Sequence, residues 1–213
     1  MTGTQRGEAA RRAYQQIRRS IMAGDLVPGS MLSEAELAAS LGVSRTPVRT
    51  ALGRLQEDGW VRIYPQRGAL VRELTATEIR EGAEVRHALE TAGVRRALPT
   101  RLAELRDEAE ASLAEQQAAL DVDDFARFNE LSQRFHRLFV EVGGNDTMLA
   151  LYDRVAERQL LSTAGSARSI TQNQQAVMAE HHTLFETAWA RDWAGFAAAL
   201  DVHQAVHAVS PGV

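Results

Sequence analysis

The chain has 213 residues, 45% of them apolar, and a formal net charge of −4 at pH 7. That length allows one large core or two small ones, and the absence of cysteine excludes a disulfide framework and any thiolate metal site. No apolar run approaches a membrane span and the first residues, MTGTQRGEAARRAY, lack a secretory h-region, so the expectation is a cytoplasmic protein with no membrane partner. Every basic residue is arginine, and the charge is split along the chain. Residues 1–75 carry 11 Arg against 7 acids, a net +4, while residues 76–213 carry 13 Arg against 21 acids, a net −8. This split predicts a DNA-contacting domain at 1–75 and a second domain at 76–213 that does not touch DNA.

Glu8 to Ala23 reads as a helix with Ala9, Tyr14, Ile17 and Ile21 facing inward and arginines around them. Gly24-Asp25 stops it, Pro28-Gly29 marks a turn, and Met31-Leu32 is a short strand. Ser33 to Asp58 then reads as two short helices around a tight Gly42-Val43 turn. Ser33 with Glu36 makes a capping-box pattern for the first helix. Ser44 is placed to cap the second, Pro47 falls in its first turn, and Val48, Ala51, Leu52 and Leu55 form its apolar stripe.

That layout is a helix-turn-helix, whose second helix presents its N-terminal residues to the major groove of double-stranded DNA. Arg45 and Arg49, four apart, share a face outside the stripe and suit guanine or phosphate. Ser44 and Thr46 supply hydroxyls for the DNA backbone. The competing reading is an ordinary helical hairpin with solvated arginines. Two apolar runs, Trp60–Tyr64 and Ala69–Val71, flank Pro65-Gln-Arg-Gly68 and predict a hairpin. A hairpin directly after a helix-turn-helix is a wing, and Gln66 and Arg67 at its tip suit a minor groove.

Thr75 to Glu78 repeats the capping-box pattern and opens the second half. From there helical periodicity predicts segments at 77–97, 101–118, 123–142, 146–162, 172–190 and 192–208, punctuated by Pro99, Gly143-Gly144 and Gly165. Six such helices close an antiparallel bundle, so the expected fold is mainly α: a winged helix-turn-helix domain plus an all-helical bundle. In 123–142 the stripe is Phe125, Phe128, Leu131, Phe135, Leu138 and Val142, with Ser132 and His136 along its edge. In 172–190, Val177, His181, Leu184 and Ala188 fall on one line, and in the last helix Trp193, Phe196, Leu200 and His203 do. One buried imidazole usually satisfies a single hydrogen bond. Three on inward lines suit a divalent metal such as zinc, nickel or manganese. His182 and His207 are expected at the surface, and His87 fits either place.

These residues resemble the GntR family of bacterial transcription regulators, in particular its FadR-like subfamily with an FCD ligand-binding domain. In the first half the resemblance rests on LSEAELAASLGVSRTPVRTALGRLQEDGWV and PQRGALV. In the second half it rests on Arg86-His-Ala-Leu-Glu90, Phe135-His136, Gly144-Asn145, Glu180-His181, Arg191-Asp192 and His203. The resemblance implies a homodimeric repressor or activator, with repression the favoured sign. Winged domains bind a short palindromic operator, and the bundle binds a small metabolite, usually a carboxylate, commonly through a metal. His136, His181 and His203 match the family's three histidine ligands, and Arg86 matches an arginine near its pocket that suits an anionic effector. The position of the usual acidic fourth ligand is held by Ser132, which leaves that place to water or the effector, or leaves the site without a metal. Ala35 and Thr50 also depart from the family pattern, so another member's operator does not transfer. The alternative weighed against a regulator is a metal-dependent hydrolase built on the three histidines. It leaves the N-terminal half without a purpose.

Overall fold

The computed structural model describes residues 3–163 and 167–208; within these ranges the side chains of 3–6, 158–159, 162–163, 167–174 and 205–208 lie outside the description. The expected break at Gly165 and the surface placement of His207 therefore fall outside the described residues. The chain divides into two compact units, with the main division between Leu74 and Thr75 and the second unit interrupted after Leu160.

The first unit runs α1 (Gly3–Ala23), β1 (Met31–Leu32), α2 (Glu34–Ser40), α3 (Arg45–Glu57), β2 (Val61–Tyr64) and β3 (Gly68–Val71). The Ser33 hydroxyl accepts the Glu36 N–H at 3.4 Å and so starts α2. Gly42, at φ 63°, makes the turn into α3. Ser44 is the residue before α3, but its side chain makes no capping bond, contrary to expectation. The reason is Pro47: it occupies the third helical position, where an N-cap hydroxyl would take an N–H that proline lacks.

The core of this unit is the inner face of α1 against α3, with Ile17, Ile21, Val48, Ala51, Leu52, Leu55 and Trp60 buried. Tyr14 is not a core residue as the pattern predicts. It is half-buried and donates to Asp58 Oδ2 at 2.7 Å, while Ala10 and Ala13 are buried instead. The three strands pair antiparallel in the order β1-β3-β2, with Leu32 opposite Ala69 and Tyr64 opposite Gly68. Gly68 sits at φ 108°, and a Cβ there would strike the Leu32 carbonyl oxygen. Only glycine lets β3 pass that close to the chain entering α2.

The second unit contains, among the described residues, six helices: α4 (Ala76–Arg95), α5 (Pro99–Asp121), α6 (Phe125–Glu141), α7 (Asp146–Thr163), α8 (Ala167–Trp189) and α9 (Trp193–Ala208). Thr75 and Glu78 form the complete capping box at the head of α4. Pro99 falls between α4 and the body of α5, as its spacing predicts, and opens α5, since the first helical position tolerates its missing N–H. Phe128, Leu131, Phe135, Phe139, Leu184, Phe196 and Leu200 form one core, and Phe125, at the start of α6, packs only at its edge.

Trp193 does not join the line of Phe196, Leu200 and His203; it is 49% exposed, under the Arg95 guanidinium at 5.5 Å. It is the first residue of α9, so its side chain tilts back past the helix end instead of onto the core. Gly93 is what brings α4 onto α6. A Cβ there would collide with the Phe139 carbonyl and lie 2.7 Å from Val140 Cα. Its packing places the turn carrying Glu90 beside the turn carrying His136.

Candidate functional site

Within the helical unit, α6, α8 and α9 deliver His136, His181 and His203 to one place, each buried, with one ligand atom from each within 4.8 Å of the others. Each imidazole is held through its Nδ1. His136 Nδ1 meets Glu90 Oε2 at 2.8 Å, His203 Nδ1 meets Glu180 Oε2 at 2.8 Å, and His181 Nδ1 meets Gln116 Oε1 at 2.6 Å. Carboxylate and amide oxygens accept, so each Nδ1 donates, and in a neutral ring the Nε2 then carries the lone pair. Burial holds His136 below its usual 6.5, against the pull of Glu90.

The Nε2 atoms of His136 and His203 approach to 3.1 Å. Two lone pairs at that distance repel unless a proton or a metal cation lies between them. Adjacent nitrogen ligands on one ion, each at about 2.1 Å, stand roughly 3.0–3.4 Å apart. The donor set therefore fits a divalent cation: three Nε2 lone pairs, each ring oriented from behind by an acceptor.

The carboxylates of this region stand behind the histidines rather than beside their Nε2 atoms. Glu90, fully buried on α4, accepts from His136, from the Tyr152 hydroxyl at 3.1 Å and from Arg86 Nε at 3.2 Å. Burial pushes its carboxyl upward, but the His136 and Arg86 contacts outweigh that and hold it below the usual 4.5. Glu180, half-buried, is pushed up by desolvation. Tyr152 is held well above 10.0 by burial and stays a donor.

Arg86, expected to face an anionic effector, is 5% exposed and already paired with Glu90. Burial works against its charge, and Tyr152 and Glu90 more than offset this. Ser132 lies half-buried on α6, one turn before His136. His182 is exposed, and half-buried His87 is anchored by the Ala197 carbonyl at 3.3 Å and Asp201 at 3.1 Å. Glu90 and Glu180 carry no assigned role in the sequence pattern, and Gln116 and Tyr152 do not stand out in it. A carboxylate or amide that orients a histidine from another helix leaves no local spacing to find.

In the first unit, Ser44, Arg45, Thr46 and Arg49 are exposed at the start of α3, and Gln66 and Arg67 are exposed at the hairpin turn. Gln66 takes φ 64°, and the Arg67 N–H closes the turn on the Tyr64 carbonyl at 3.1 Å. Arg45 and Arg49 differ in one respect invisible to spacing: Arg49 is engaged by Glu34, the first residue of α2, through two hydrogen bonds of 3.1 and 2.8 Å.

Residues 9–71 match the family model for bacterial regulatory proteins of the gntR family, and residues 81–205 match that of the FCD domain. The chain is 35% identical over 129 residues to the HTH-type transcriptional repressor RspR of Escherichia coli K12, covering 61% of this chain and 57% of that protein. It therefore matches little more than half of that relative's length. It is 40% identical over 135 residues to an HTH-type regulator from the TAR-I ttuE-ttuC' intergenic region of Agrobacterium vitis, covering 60% of this chain and 77% of that one. A solved structure described as a putative GntR transcriptional regulator from Rhodococcus sp. RHA1 shares the fold, with 24% identity, a TM-score of 0.74, and 92% and 93% of the two chains covered. These relatives carry the names of regulators, not enzymes, and nothing in them supports the hydrolase alternative.

Proposed function

Because the chain belongs to the GntR family of bacterial regulatory proteins, in the branch carrying an FCD domain, we propose that it is a ligand-responsive DNA-binding transcriptional regulator. It acts as a homodimer on a palindromic operator, and it acts as a repressor. The name of RspR supports that sign. Ser44, Arg45, Thr46 and Arg49 meet the major groove, and Gln66 and Arg67 reach an adjacent minor groove.

The observation that carries the effector half is the convergence of His136, His181 and His203 with every Nδ1 held. These three hold zinc, nickel or manganese. When bound, such an ion offers a Lewis-acid anchor to an anionic group. Ser132, a neutral hydroxyl where the resemblance puts an acid, leaves that anchoring place to the carboxylate of a small organic acid. Arg86 orients Glu90 and through it His136. Effector binding shifts the population of DNA-competent protein, and by linkage operator binding shifts effector affinity equally.

Metal analysis of the purified, chelator-free protein, paired with thermal melts with and without added zinc, nickel or manganese, tests this reading. Near one ion per chain, lost in His181→Ala, is expected. No metal and no thermal shift would overturn the metal-anchored effector and turn the search to ligands bound by the imidazoles directly.

A further inference from the structure

Arg49 is held by its side edge. Glu34 Oε1 takes Nε–H at 3.1 Å and Oε2 takes an Nη2–H at 2.8 Å, so one carboxylate occupies two of the five guanidinium donors. The three that remain are both N–H groups of Nη1 and the second of Nη2. One from each nitrogen forms the parallel end fork that matches guanine O6 and N7. Glu34 is itself well placed to hold this grip: it lies in the first turn of α2, where helix ends favour anions, and its side chain is only 26% exposed against 71% for Arg49. Arg45 adds its field to the same carboxylate. A long arginine free in solvent surrenders several rotatable bonds on binding; one already gripped surrenders fewer.

We infer that Glu34 is a specificity-determining positioning residue, which fixes Arg49 so that its end fork reads one guanine in each half-site. The inference rests on the DNA-binding reading above and deepens it. Glu34 also carries a negative charge toward the phosphates, so it weakens indiscriminate binding while sharpening the specific one. Its removal acts on the two in opposite directions, which a merely structural ion pair does not do.

The test uses the full chain and a duplex selected by it from a randomised library. Dissociation constants at one fixed salt concentration are measured for that duplex, for versions with each guanine replaced, and for a scrambled duplex. The proteins are wild type, Glu34→Ala, Glu34→Gln and Arg49→Ala. Glu34→Ala is expected to lower the selected-to-scrambled ratio about fivefold or more, the discrimination of one bidentate pair. The loss concentrates at the guanine to which Arg49→Ala is also blind. Affinity for the scrambled duplex stays level or rises, which also reports a folded protein. Glu34→Gln, which keeps one acceptor oxygen, falls between and carries the test if the alanine variant unfolds. An unchanged ratio, or specific and scrambled binding rising in step, overturns the inference while leaving DNA binding intact. Failure of the wild type to enrich any duplex overturns the DNA-binding reading itself.

Discussion

Glu90 and His136 stand 46 residues apart in sequence and 2.8 Å apart across the contact of α4 with α6. Gly93, one turn beyond Glu90, lets the two backbones come that close. Gly93→Ala is expected to destabilise the protein by about 1–3 kcal/mol, because its Cβ meets backbone that has no rotamer to yield. Gly82→Ala, on the same helix with nothing within 4 Å of its Cβ, is expected to stabilise by about 0.4–1 kcal/mol. Urea unfolding of the two variants in parallel checks the contrast. Equal and small effects would remove Gly93 from its assigned part.

Glu90→Gln leaves the buried Arg86 guanidinium without its counter-charge. A loss of about 3 kcal/mol or more is expected, the usual result of removing one partner of a buried pair. Adding Arg86→Met should recover most of it, since no unpaired charge then remains. A double variant as unstable as the single one would show that packing, not charge, accounts for the loss.

The grip of Glu34 on Arg49 is open to direct titration. The Arg49 hydrogen bonds hold the Glu34 carboxyl below its usual 4.5. A depressed carboxyl contributes stability that is present above the unfolded value and lost as pH falls through the folded one. The expected signature is a Glu34 side-chain NMR midpoint below 4.5 that returns to about the ordinary carboxylate value in Arg49→Ala. An unshifted wild-type midpoint would mean that the pair does not persist in solution.

On the DNA side, Arg45→Ala is expected to cost about 1–3 kcal/mol of specific affinity and to relax preference at one base pair. Arg67→Ala in the wing should weaken binding to all duplexes more evenly and reduce the salt slope by about 1 if it meets a phosphate. Titrations of the selected duplex at several salt concentrations separate these outcomes.

Much of this architecture is legible in the chain itself, because its signals are local. Ser33, Thr75 with Glu78, Gly42 and the Val48–Leu55 stripe each announce an element within a few residues. The three inward histidines are legible for the same reason: each lies on a helical line with core residues. What escapes is whatever depends on two elements meeting. Gln116 and Tyr152 belong to other helices than the groups they hold, and Gly93 matters only because of the carbonyl it faces. Trp193 fails in another way: the line through Phe196 is right, but a helix's first residue points past its end. Ser44 fails because its cap partner is a proline.

The close pass of Gly68 over the Leu32 carbonyl ties β3 to the residue immediately before the Ser33 cap. The hairpin is thereby anchored at its base, while its turn, Pro65 to Arg67, projects from paired strands as an unburdened tip. Exchanges at the tip leave the start of α2 undisturbed, whereas a side chain at Gly68 would strike the chain entering it. The two surfaces proposed to face DNA are thus joined at the base of the hairpin, while its tip is free to vary. Under the proposed binding mode, Gln66 and Arg67 can change without disturbing Arg45 and Arg49 on α3.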